Sequence, residues 1–158
     1  MEQLEKEAAK RNINGDKWII RWNEHVADTY LYGSEISYEE DGVRFHNELM
    51  PPGTVIKKWQ SMTNYQMSRV EPSLPIIDCE ADYILTTSIE CPKDQNYLIR
   101  VVFFDRYGNE AGSVIVRDVE ARFSCPVKTF KYEVQLISAG LTDLVFHWMS
   151  IKEIEREY

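Results

Sequence analysis

Long apolar runs are missing from this 158-residue chain. No window approaches the roughly 18 consecutive apolar residues a membrane-spanning helix needs. The opening MEQLEKEAAKRNINGDK likewise lacks the apolar centre of a secretory signal. The expectation is a cytosolic protein without a membrane span. Clustered positive charge is also scarce: 18 Lys and Arg stand against 26 Asp and Glu, a net charge of -8. That balance excludes a nucleic-acid partner held by phosphate contacts, which requires a concentrated basic surface, and reads most simply as solubility. Only three cysteines occur, Cys79, Cys91 and Cys125. They form neither a CxxC pair nor a metal-finger spacing, so reduced structural thiols are expected.

Recognisable catalytic signatures are absent too. The chain contains no GxSxG, HExxH, GxxxxGK[ST] or GxGxxG, and nothing else forces an acid, a base and a nucleophile to converge. Paired carboxylates for glycoside cleavage need closeness in space rather than in sequence, and no particular pair is marked. His25, His46 and His147 are far apart along the chain, which favours ordinary polar or half-buried histidines over a metal site. Glu39-Glu40-Asp41 lacks the alternating oxygen ligands and glycine of a calcium loop and reads as a solvated hairpin tip. Neither cofactor nor metal is expected, and the protein reads as a non-enzyme.

What the chain does have is β texture. From Trp18 onward, short runs rich in Ile, Val, Tyr, Phe, Trp and Thr alternate with turn residues. Asn14-Gly15 precedes a strand over Trp18 to Trp22, Gly33-Ser34 breaks a Tyr-rich stretch, and Asp41-Gly42 sits where a hairpin turn would. Tyr97 to Phe104 is apolar on nearly both faces, which predicts a central, buried strand. Asp105 to Asn109 should turn it into Gly112 to Val116. Phe130 to Ser138 alternates apolar with Lys, Glu and Gln, as expected of a strand with one wet face. In the last run Leu144, Phe146 and Trp148 should share one face, and Val145, His147, Met149 and Ile151 the other. Eight to ten strands without an interior helix predict an all-β antiparallel β-sandwich, jelly-roll-like. Residues 1–16 read as a flexible leader and 17–158 as one domain, with no linker or repeat to divide them.

The least ordinary stretch is NELMPPGTVIKKWQSMTNYQMSRVEPSLPII, Asn47 to Ile77. Pro51, Pro52 and Gly53 make a rigid turn. From Val55 to Tyr65 alternate residues are Val, Lys, Trp, Ser, Thr and Tyr, a row that mixes rings with polar groups. Pro72 and Pro75 end the element. Rings beside Lys57, Gln60, Asn64 and Arg69 suit stacking on a pyranose while polar neighbours bond its hydroxyls. Trp59, Tyr65 and Arg69 are therefore the candidate carbohydrate- or partner-binding residues, whereas Phe146 and Trp148 read as core.

NELMPPGTVIKKW, the following Tyr65, SRVEPSLPII, VVFFDRYGNE, KYEVQLISAG and the earlier Tyr30-Leu31-Tyr32-Gly33-Ser34 together resemble one family from about Trp22 to Ile154. It is the third accessory secretion protein of the accessory Sec system. The resemblance implies a β-sandwich similar to a carbohydrate-binding module. It also implies a non-catalytic subunit in complex with the first and second accessory secretion proteins, serving a motor ATPase that exports serine-rich-repeat glycoprotein adhesins. Such a subunit would be cytoplasmic, peripheral to the membrane through its complex, and would engage the adhesin or its glycans. A stand-alone module recognising N-acetylglucosamine-type glycans is the alternative. No ligand-contacting position carries over from the family.

Overall fold

Ten antiparallel strands make up the described part of the chain. The computed structural model describes residues 17–22, 28–61 and 74–154; the expected leader and the Asn14-Gly15 turn lie outside them. In chain order the strands are β1 (Lys17–Ile20), β2 (Glu35–Glu39), β3 (Gly42–His46), β4 (Val55–Gln60), β5 (Asp82–Glu90), β6 (Tyr97–Phe104), β7 (Glu110–Val116), β8 (Glu120–Phe123), β9 (Lys131–Ser138) and β10 (Asp143–Ile154). One sheet runs β2-β3-β10-β5-β8, with β1 added to β10, and the other runs β4-β9-β6-β7. Among the described residues no helix is long and apolar enough to cross a membrane.

The twelve-residue β10 organises the larger sheet. Its first half pairs with β3 and its second half with β1, while β5 runs along its other edge. In the smaller sheet β6 lies between β9 and β7, the central place its two apolar faces demand, with Ile99, Val101, Val102 and Phe103 buried. The hairpin between β6 and β7 is closed by Asp105, whose Oδ1 accepts from the backbone N–H groups of Tyr107 and Asn109 at 2.9 Å each. This side-chain acceptor is why Asp suits the first turn position. In β9, Tyr132, Val134 and Leu136 are buried, but Phe130 falls before the strand and is exposed.

The two sheets meet through rings. Trp59 of β4 stacks on Phe146 of β10, centroids 5.3 Å apart, and both contact Trp22. Phe103 of β6 reaches Phe123 of β8 at 6.1 Å. These contacts cross from one sheet to the other, so the aromatic side chains build the layer that makes the sandwich.

One facial assignment needs correcting. The β10–β5 register shifts between Phe146 and Trp148, a bulge that places one extra residue in β10 and reverses the alternation beyond it. Leu144, Phe146, Met149 and Ile151 therefore share the core. Trp148 is only half-buried, and Lys17 Nζ lies 5.5 Å from its ring centroid.

Candidate functional site

Trp59, the ring expected to be free for a ligand, is buried by the fold. It is 1% exposed, stacked on Phe146, and its indole N–H donates to the Arg21 carbonyl at 2.9 Å. Both its face and its polar handle are used internally, so it cannot stack on a sugar. The physical reason lies in the pairing: Trp59 sits opposite the buried Val134 of β9, on the inward face of β4, and the β4–β9 register shifts between Val55 and Lys57. That shift brings Ile56 to the same buried side as Lys57 and Trp59. Lys57 Nζ donates to Thr29 Oγ1 at 3.0 Å and lies 5.8 Å from the Trp22 ring centroid. Burial lowers its pKa to about 8, with nearby Asp28 opposing the shift. The rest of the expected row beyond Ser61 (Thr63 and Tyr65) and the neighbouring Asn64 and Arg69 lie outside the described residues.

A groove of about 540 Å³ opens instead on the outer face of the six-stranded sheet, across β2, β3, β10 and the end of β5. Because Val43, Phe45, Leu144 and Phe146 point inward, alternation turns Arg44, His46, Asp143 and Val145 outward. Pairing then sets Glu35 beside His46, His46 beside Asp143, and Val145 beside both Arg44 and Glu90. Cys91 and Pro92 close the rim.

Charge on this face is organised in pairs. His46 Nδ1 lies 2.6 Å from Asp143 Oδ1, and its Nε2 lies 3.6 Å from Glu48 Oε1. The hydrogen bond to Asp143 raises the His46 pKa, and the same bond lowers that of Asp143. His147 is held at both nitrogens, Nδ1 2.8 Å from the Asp41 carbonyl and Nε2 2.8 Å from Glu90 Oε2. Two acceptors on one ring favour the doubly protonated form, and the His147 pKa is raised, chiefly by Glu90. Arg44 Nε donates to Glu39 at 2.6 Å. Such a surface can bond a polar, hydroxyl-rich ligand. The buried Cys125 thiol, pushed up to about 12 by burial and by the neighbouring Cys79, is held in its unreactive form.

A second feature joins two segments that were singled out in the sequence. Asn47 is fully buried, and its carboxamide donates to the Tyr32 carbonyl at 2.8 Å and to Ser34 Oγ at 2.9 Å. Its Oδ1 accepts from the Leu49 N–H at 2.8 Å. One side chain thereby ties Tyr30-Leu31-Tyr32-Gly33-Ser34 to the head of NELMPPG. Gly33 adopts a left-handed φ of 74°, and a Cβ there would lie 2.9 Å from Leu49 Cδ1. No larger residue fits that turn without strain.

Among the described residues no group of three or more His, Cys, Asp or Glu is placed to hold a metal, and His25 lies outside them. The partners of His46 and His147 were illegible in sequence, since Asp143 is 97 positions from His46 and Glu90 is 57 from His147. Their one sequence signal was that both sit at outward positions of strands.

Residues 29–153 match the family model described as Accessory Sec secretory system ASP3, the third accessory secretion protein. The chain is 38% identical over 130 residues to the accessory Sec system protein of that same designation from Streptococcus gordonii, covering 82% of each chain. It superimposes with a TM-score of 0.81 on a chain in the crystal structure of accessory secretory proteins 1, 2 and 3 of Streptococcus pneumoniae. That match has 36% identity and covers 86% of this chain and 95% of the other. A chain of the Glycosylation Associate Protein (Gap123) complex of Streptococcus agalactiae gives a TM-score of 0.82 at 27% identity, covering 88% of this chain and 45% of that one. The matched span runs from the bridge at Thr29 to Glu153 in β10 and so takes in every described strand except β1. On these grounds the chain belongs to the family of the third accessory secretion protein of the accessory Sec secretory system.

Proposed function

We propose that this protein is a non-catalytic subunit of the accessory Sec export machinery. It assembles in the cytoplasm with the first and second accessory secretion proteins, and engages a serine-rich-repeat adhesin before the motor ATPase translocates it. The observation that carries this reading is that its sandwich matches, over 86% and 88% of its length, chains solved within the pneumococcal complex of accessory secretory proteins 1, 2 and 3 and the Gap123 complex. Co-expression with the cognate first and second proteins should give a complex that survives gel filtration. A protein that elutes alone at micromolar concentration of all three refutes the proposal.

A second reading, direct recognition of N-acetylglucosamine-type glycans, is favoured by the groove over β2, β3 and β10. Arg44, His46, Asp143 and Glu90 there offer donors and acceptors spaced along neighbouring strands. Tyr65 and Arg69 remain proposed contacts to a partner or a glycan. Calorimetric titration with an N-acetylglucosamine-bearing glycopeptide should show saturable binding that Arg44→Ala, Tyr65→Ala or Arg69→Ala weakens. Absence of a saturable signal removes this reading.

A further inference from the structure

The knob that Asn47 builds turns apolar side chains toward solvent. A solvated turn is ordinarily polar, yet this one carries Leu31 at 50%, Tyr32 at 72% and Leu49 at 64% exposure. The three belong together. Leu31 and Tyr32 occupy the turn closed by the Ser34 N–H donating to the Leu31 carbonyl at 3.0 Å, and Leu49 packs against the backbone of Gly33 in the same turn. Both loops are fixed from beneath. Ser34 Oγ donates to the Tyr30 carbonyl at 2.6 Å, Asn47 joins the loops, and its own N–H donates to the Thr142 carbonyl at 2.8 Å. An apolar surface held this rigidly loses little further conformational freedom on binding. A large aromatic flanked by aliphatic side chains is also the composition of an interface anchor.

The rim identifies the occupant. Glu35 follows Ser34 and Glu48 precedes Leu49, both exposed, and Glu48 faces His46 across 3.6 Å. An acidic border repels a second copy of this chain, net charge -8, and repels an anionic lipid surface, while it suits an apolar cleft edged by Lys or Arg. We infer that Leu31, Tyr32 and Leu49 form the plug by which this protein seats in a basic-rimmed apolar cleft of another subunit of its complex. The inference rests on the reading of the chain as a complex subunit.

The test uses the full chain co-expressed with its cognate first and second accessory secretion proteins. The triple variant Leu31→Ser, Tyr32→Ser, Leu49→Ser changes only exposed side chains, so its melting temperature should match wild type, while its affinity for the partners should fall at least tenfold. Val127→Ser with Phe130→Ser, exposed positions ahead of β9 rather than beside its far end, should leave affinity unchanged. Glu35→Lys with Glu48→Lys should slow association several-fold at low salt and by much less at high salt. A folded triple variant that binds as wild type does overturns the plug while leaving the subunit reading intact. Wild type that fails to bind overturns both. A wild-type dimer that the triple variant makes monomeric assigns the surface to self-association instead, and charge-reversal variants that associate at the wild-type rate refute the basic rim.

Discussion

At the residue scale, Lys57 and His147 are ionisable groups whose surroundings shift them in opposite senses. Burial lowers Lys57 from 10.5 to about 8. The unfolded chain therefore holds its proton more strongly than the folded one, and stability from this group must rise as pH climbs through roughly 8 to 10.5. Tyrosines and thiols titrate in the same range, so the comparison has to be differential. Lys57→Met should show a flatter dependence of its denaturation midpoint on pH between 7.5 and 10 than wild type. Equal slopes would show that the amine is not desolvated.

His147 has the converse sign. Its pKa is raised by Glu90 and the Asp41 carbonyl, so the folded state holds the extra proton. The stabilisation is fully present below the ordinary value of about 6.5 and disappears as pH rises through the folded pKa. Ring resonances of His46 and His147 in a two-dimensional NMR titration should both have midpoints above 6.5. Substitution Glu90→Gln should return His147 toward it, and a His147 midpoint indifferent to that change would refute the pairing.

At the scale of elements, the bulge in β10 and the close approach of the β2–β3 hairpin belong to one design. A Cβ at Gly42 would lie 2.7 Å from the Phe146 carbonyl and 3.1 Å from His147 Nδ1. Backbone cannot give way as a flexible side chain does. Gly42→Ala should therefore cost about 1–3 kcal/mol, as overpacking does, measurable by urea denaturation. Opposite it, Phe146 touches Trp22 and Trp59 and is wholly buried. Phe146→Ala should cost about 3–5 kcal/mol, removing ring contacts that bind one sheet to the other. A cost below 1 kcal/mol would mean that this core collapses around the cavity.

These elements also show how far strands can be read from a chain. Tyr97 to Phe104 was identifiable as a buried central strand because both its faces are apolar, a property independent of what lies beside it. The side of β10 taken by Trp148, and the burial of Trp59, were not identifiable in this way. The first depends on one extra residue accommodated against a partner strand between Phe146 and Trp148, and the second on which face of β4 its pairing with β9 turns inward, where Trp59 meets the buried Val134. A period-2 pattern cannot register a bulge, because the bulge is defined by the pairing and not by the strand.

At the scale of the whole molecule, a sandwich that carries an apolar knob beside the start of β2 and the end of β3, and a charged groove on the outer face of its six-stranded sheet, has two surfaces to offer a complex. If the groove and the knob serve different ligands, the Arg44→Ala variant should bind partner subunits as wild type does, and the triple Leu31, Tyr32 and Leu49 variant should leave glycopeptide binding unaltered. Loss of both functions in either variant would make them one surface. By itself the sequence determined the all-β class, the hairpins at Asp41-Gly42 and at Asp105 to Asn109, and the family, because alternation, turn chemistry and motif order are written along the chain. Only the tertiary structure decided that Trp59 is core, that His46 meets Asp143 and His147 meets Glu90, and that Asn47 draws the Tyr30 to Ser34 turn onto Leu49. Those contacts join residues distant in sequence through sheet pairing and burial, and the energies that select them, desolvation and close packing, exist only once both partners are in place.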